Sequence, residues 1–233
     1  MKHALVGLLL SWLAAPVLAA EQAAATLNSA PTAKDWAALA QLPDWSGVWT
    51  PFISDQNKRI TTDPVPWQPK VAEQIAFMVA EENAGRPRGL FIDCLPEGMP
   101  TWMLITHNAF EFVFTPGRVT ILGEMDGNRL RRIYTDGRPH PPDPDPTFHG
   151  HSIGHWEGTT LVVDTVGVLP EVYLAVSEAV GIPNDGDLHV IERIHLTAAD
   201  VLQDDLEVIA PHDRPLEDQS HLLPPARAQV RHC

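Results

Sequence analysis

The sequence predicts a mainly β protein, an antiparallel, up-and-down, lipocalin-like barrel with one packed α-helix; a β-sandwich is the alternative. Three observations predict it. A series of short segments between Trp45 and Ile209 alternates apolar and polar residues with period two. Turn residues separate these segments, and Asp126-Gly127 is the strongest hairpin signal among them. Only Pro69 to Ala84 holds a long helical period. A meander of this length leaves two unpaired edges unless it curls and closes, which favours the barrel.

The first element is an address. Met1-Lys2-His3 is a basic start, Ala4 to Val17 is an apolar run too short to span a bilayer, and Leu18-Ala19-Ala20 is a small-residue exit. Residues 1–20 therefore read as a signal peptide, cleaved after Ala19 or Ala20. No Cys follows that could carry a lipid. The mature protein is expected to be periplasmic or secreted, with no membrane insertion after cleavage. Export makes a disulfide between Cys94 and Cys233 chemically open, a buried thiol at Cys94 being the alternative.

Residues 21–43 form a leader with a short helix, in which Thr32 is the N-cap and Asp35 favours the helix dipole. Residues 44–210 form the barrel domain, beginning with a strand at Trp45 to Trp49. In the main helix Pro69 occupies the first position and Gly85 stops the chain. Val71, Ile75, Met78 and Val79 make a core-facing stripe. Strands follow at Trp102–Thr106, Phe110–Phe114, Arg118–Glu124, Arg129–Thr135, His149–Glu157, Thr160–Val166, Leu188–Leu196 and Val201–Ile209. Glu171 to Val180 reads as a helical turn, and 211–233 as a polar, Pro-rich tail.

With 44% hydrophobic residues in 233, the chain has enough apolar side chain for a core, which excludes a disordered protein. A net charge of -14 repels nucleic acid and anionic membranes, leaving a small-molecule ligand as the expected partner. The oligomeric state is not legible.

Alternation also sorts the polar residues. Leu188, Val190, Glu192, Ile194 and Leu196 share one face, so Glu192 sits among aliphatics. Such a carboxylate is either a structural ion pair or a general acid or base with a raised pKa, and Arg131 or Arg132 is its partner. Asp164 interrupts an apolar strand and either caps a buried network or lines the pocket. His149, His151, His155 and Glu157 share parity in the densest polar segment. His149 and His151 have the spacing of two metal ligands, for Zn or another transition metal. A third ligand would have to come from Asp136, His140 or Glu192. Without metal, His151 and His155 are either acid/base groups of a pocket or surface or core-satisfying residues. Gly150, Ser152 and Gly154 leave the opposite face bare, where a ligand could enter against Ser152. Trp102, Phe112, Tyr134 and Trp156 are the aromatic wall of such a pocket.

Five motifs recur in an order that is itself informative. They are Asp44 to Trp49, Cys94 to Pro100, Arg132 to Arg138, Gly150 to Gly158 with Leu161 to Thr165, and Leu188 to Arg193. Together they resemble a large family of exported bacterial proteins of unknown function, with the hallmark Gly-x-Ser-x-Gly-x-Trp-Glu-Gly-Asp-Thr-Leu-Val-Val. The resemblance runs from about Asp44 to Ile209. Thr159 stands where the hallmark has Asp, and the family often has Asp where this chain has His151. The resemblance implies export and a β-rich fold, argues against a shared His-x-His metal site, and supplies no activity.

The functional expectation is a periplasmic enzyme that moves protons without a metal, of lyase, isomerase or hydratase type, acting on a partly apolar ligand in a barrel cavity. Glu192 would be the acid or base, His151 or His155 its partner, and Arg131 or Arg132 the anion holder. The alternatives are a non-catalytic binding protein for an apolar or aromatic small molecule, and a His-based metal-dependent hydrolase or metal-binding protein.

Overall fold

A computed structural model of the chain describes residues 30–51, 69–87, 92, 94–104, 109–124, 129–175, 181–184, 186–209 and 226–232. Residues 1–20, read above as a signal peptide, and Cys233 lie outside the described residues, and Cys94 is exposed. The protein is mainly β. Its strands are β1 (Val48–Pro51), β2 (Phe110–Thr115), β3 (Arg118–Gly123), β4 (Leu130–Tyr134), β5 (His151–Glu157), β6 (Thr160–Val166), β7 (Tyr173–Ala175), β8 (Gly181–Pro183), β9 (His189–Ala198), β10 (Val201–Ile209) and β11 (Ala226–His232). Its helices are α1 (Ala33–Ala38), α2 (Pro69–Asn83) and α3 (Thr101–Leu104).

Nine of these strands close a barrel in the order β1-β2-β3-β4-β5-β6-β9-β10-β11, and β11 returns to β1. Strictly alternating strands cannot close a ring of odd number. The mismatch is absorbed at one seam, where β4 and β5 run parallel. They pair only at Ile133–Ser152 and Tyr134–Ile153, so the Leu130–Arg132 stretch of β4 has no ladder partner on that side. Every other junction in the ring is antiparallel.

The inward faces follow the expected alternation. Phe110 and Phe112, Val119 and Ile121, Leu161 and Val163, Val190 and Ile194, and Leu202 and Leu206 are all buried in one core. Each such side chain contributes roughly 1.5–3 kcal/mol of burial. Gly154 lets the wall close on itself, since a Cβ there would lie 2.9 Å from Ile133 Cγ2. The bare face of β5 is thus filled by neighbouring side chains.

Local chemistry sets the helices. Thr32 and Asp35 form the reciprocal capping box of α1, and a 3-10 turn over Leu39–Gln41 extends it. In α2, Met78 is buried and Ile75 packs on the core, but Val79 is 40% exposed. The core stripe of α2 is therefore narrower than its periodicity suggests.

Three expected elements are corrected. Trp102 begins no strand; Thr101–Leu104 is a helical turn, entered from Pro100, whose fixed φ suits a helix start. The described part of the Glu171–Val180 region, residues 171–175, forms no helix, since Tyr173–Ala175 pairs with Gly181–Pro183 as a separate two-stranded sheet; residues 176–180 lie outside the described residues. The tail contributes a strand, β11, which completes the barrel beyond residue 210. Among the described residues, no helix is long and apolar enough to cross a membrane.

Candidate functional site

Two polar networks lie back to back on the wall formed by β4, β5, β6 and β9. The inner one fills the lumen. Arg131 of β4 donates from Nη1 to Glu192 Oε1 at 2.8 Å and from Nη2 to Glu192 Oε2. Nη2 also donates to Thr165 Oγ1 at 2.9 Å, and Nε to Ser152 Oγ at 3.2 Å. Ser152 and Thr165 share a 2.8 Å bond. Arg131 and Glu192 are 1% and 0% exposed, so both charges are out of water. Arg131, not Arg132, is the partner of Glu192; Arg132 points outward and is exposed. This geometry fits the structural ion pair, with Ser152 serving the guanidinium rather than a ligand.

Asp204 of β10 joins this lumen, 4% exposed. Burial, and then the charge of Glu192, push its carboxyl well above the ordinary range, although Arg131 opposes the shift. Its oxygens meet no donor while both acids are ionised. A proton on Asp204 supplies the missing hydrogen bond to Glu192.

The outer network is built from residues of opposite parity. Asp164 of β6 lies across from Ile153 on β5 and Ile191 on β9, which places it on the outer face. Its Oδ1 accepts from His189 Nε2 at 2.7 Å and from His140 Nε2 at 3.2 Å. His140 Nδ1 lies 2.8 Å from His151 Nδ1. Burial alone would raise Asp164, but the bonds and charges of His189 and His140 bring it below the usual value. Asp164 in turn raises His189, against burial. His151 is lowered, by burial first and then by His140 and Arg138. Tyr134 stacks on His151 with centroids 5.5 Å apart, and the Arg138 guanidinium lies 4.1 Å over the Tyr134 ring.

The chain of bonds sets the tautomers. His140 donates from Nε2 to Asp164, so its Nδ1 accepts from the Nδ1–H of His151. The Nε2 lone pair of His151 then remains without a partner among the described residues. A proton taken there can be matched by transfer of the Nδ1 proton to His140, whose imidazolium faces Asp164.

Beside His151, the incomplete β4–β5 seam opens into a cleft of about 400 Å³, lined among others by Arg132, Tyr134, His149 and His151. His149 is not part of the relay. Its Nδ1 donates to the Leu130 carbonyl at 3.2 Å and its ring stacks on Trp102 at 4.5 Å. Burial lowers its pKa to about 4, so it is neutral. Gly150, at φ +66°, follows a turn over Phe148 and His149, so His149 precedes the strand and the two histidines lack regular strand spacing. The two rings spend their Nδ1 atoms on different partners. Among the described residues, no group of three or more His, Cys, Asp or Glu is placed to hold a metal.

The remaining expected site residues are dispersed. His155 is exposed and bonds Glu157, which also takes Arg193. Phe112 is core. Trp102 is fully buried against Phe110. Trp156 belongs to an aromatic group with Trp45 and Phe114 at one barrel end. Glu192 and the imidazoles of His151 and His155 therefore face opposite sides of the sheet, which corrects the expectation of one shared cavity. His189 and Asp204 carried no role in the sequence reading, and His140 entered only as a third metal ligand. Parity already put His189 opposite Glu192, whereas His140 sits in the Pro139–Pro146 loop, which has no periodic signal. No protein-family model matches the chain, and no curated protein matches it.

Proposed function

We propose that this chain is an exported enzyme that transfers protons to or from a small, partly apolar molecule without a metal, with His151 as acid/base and its substrate in the β4–β5 cleft. The observation that carries the reading is the Asp164–His140–His151 relay, which ends on a residue that lines that cleft and whose Nε2 has no partner among the described residues. A histidine oriented by a second group and held neutral near physiological pH is suited to general base chemistry. Both nitrogens of His140 and one of His151 are engaged in hydrogen bonds, which supports proton transfer over metal ligation. Arg132, exposed and with no partner among the described residues, is the group best placed to hold an anionic substrate or a developing oxyanion. Glu192 passes from catalysis to architecture.

The test is solvent exchange. The mature protein is incubated in D2O with a panel of small carboxylates and carbonyl compounds, and loss of C–H signals is followed by NMR. Exchange is expected with at least one compound, to be abolished by His151→Gln, and to fall about 100-fold in Asp164→Asn. Equal exchange in His151→Gln, or no exchange anywhere on the panel, overturns the reading.

A further inference from the structure

A second cavity lies away from the relay, between α1 with its 3-10 turn and the β2–β3 turn. It measures about 560 Å³, within the roughly 300–1,000 Å³ typical of small-molecule sites. Its apolar walls include Leu39, Leu42, Phe114 and Trp156.

Three charged residues line this cavity, and two are already satisfied. Asp35 is committed to the capping box with Thr32. Asp136 is clamped by Arg138, whose Nε and Nη2 lie 2.6–3.0 Å from its oxygens. Arg118, the first residue of β3, differs. Its Nε is buried and has no hydrogen-bond partner, and its guanidinium forms no ion pair among the described residues. With Asp35 and Asp136 engaged, Arg118 is the charge at this cavity left to meet an acceptor. A carboxylate matches the planar fork of a guanidinium. The walls call for the rest of the molecule to be apolar, with Trp156 and Phe114 offering aromatic faces.

We propose that this cavity binds an apolar or aromatic carboxylate, its anionic end on Arg118 and its body against Leu39, Leu42, Phe114 and Trp156. The site uses none of the relay residues and stands whether or not His151 is catalytic. The net charge of -14 gives no general attraction for anions, so affinity for the carboxylate has to come from Arg118 locally.

The probe is 1-naphthylacetate, compared with its neutral amide of the same shape, by calorimetry on the full mature protein. The acid is expected to bind one to one, with the amide at least about tenfold weaker. Arg118→Gln should bring the acid down to the amide's affinity, and Arg118→Lys should keep part of the preference. His151→Gln should change neither. The Arg118 Nε–H resonance should shift on adding the acid and stay in place with the amide. Equal binding of acid and amide, full affinity in Arg118→Gln, loss of binding in His151→Gln, an unmoved Nε–H resonance, or no binding of the acid would each overturn the proposal. Thermal melts of the Arg118 variants separate lost binding from lost folding, and the resonance shift in the unmutated protein does not depend on either variant.

Discussion

Replacing Asp204 by Asn should make the barrel more stable, and increasingly so as the pH rises. Burial, then the neighbouring Glu192 charge, raise the Asp204 carboxyl well above its ordinary 3.8. Between that value, where the unfolded chain ionises, and the higher folded-state value, the native protein holds one proton more than the unfolded chain. Stability must therefore fall with rising pH across that window, by up to about 1.4 kcal/mol per pH unit for a single proton. Asn keeps the shape and a donor for Glu192 but cannot ionise, so the variant loses this slope. Urea unfolding of both proteins from about pH 4.5 to 8 gives the comparison. Titrations common to both cancel in the difference. That difference should grow with pH and level off above the folded-state pKa. A difference flat across the whole range, or a variant less stable throughout, would refute a protonated Asp204.

The same geometry makes Glu192 and Asp204 interdependent. Removing one partner of a buried ion pair costs about 3–5 kcal/mol, because the other charge is left alone. In Glu192→Gln, however, Asp204 can give up its proton and face Arg131 in its place. The single variant should lose less than the double variant Glu192→Gln/Asp204→Asn, with a coupling of about 0.5–3 kcal/mol in the cycle. Additive losses would show that Asp204 does not exchange roles with Glu192.

Three further outcomes follow from particular contacts. Gly150→Ala sets a Cβ 2.6 Å from the Val166 carbonyl oxygen at a φ of +66°, and should lower the urea midpoint by about 1–3 kcal/mol of stability with an unchanged slope. Leu161→Ala, at a site with no exposure in the core, should cost about 2–5 kcal/mol by the same measurement. Asp164→Asn should lower the His189 pKa, read by NMR titration, since the bond to Asp164 is what raises it. His189 stabilises the fold below its unfolded value and loses that contribution as the pH rises through the folded one; half-exposed, it contributes well under about 1 kcal/mol.

Most strands were legible because they carry at least one aliphatic face. Thr160–Val166 and Val201–Ile209 were read with the observed limits, and β3 and β4 pair antiparallel on either side of Asp126-Gly127, itself outside the described residues. The elements that escaped lack that contrast. β11 reads Ala226-Arg-Ala-Gln-Val-Arg-His232, where small residues replace the large aliphatics that mark a buried face. Trp102 is as apolar as a strand residue, yet Pro100 turns the backbone into a helix start, and tertiary packing against Phe110 and His149 decides the outcome.

The site was half legible for a reason that the register makes clear. Period two reveals which residues share a face but not which face looks inward; the aliphatics decide that. On β9 they decide it at once, because Leu188, Val190 and Ile194 can only face the core, and Glu192 goes with them. On β5 neither face is aliphatic, so alternation alone could not place His151. The answer comes from the neighbours. Glu192 is paired with Val163, which fixes Val163 inward and Asp164 outward. Asp164 is paired with Ile153, so Ile153 is outward and His151 and His155 go out with it. Once β6 is seen to lie between β5 and β9, the histidines cannot share the lumen with Glu192. A catalytic role for His151 must then rest on what covers the outer wall, and that cover includes His140, contributed by a loop whose sequence has no period to read.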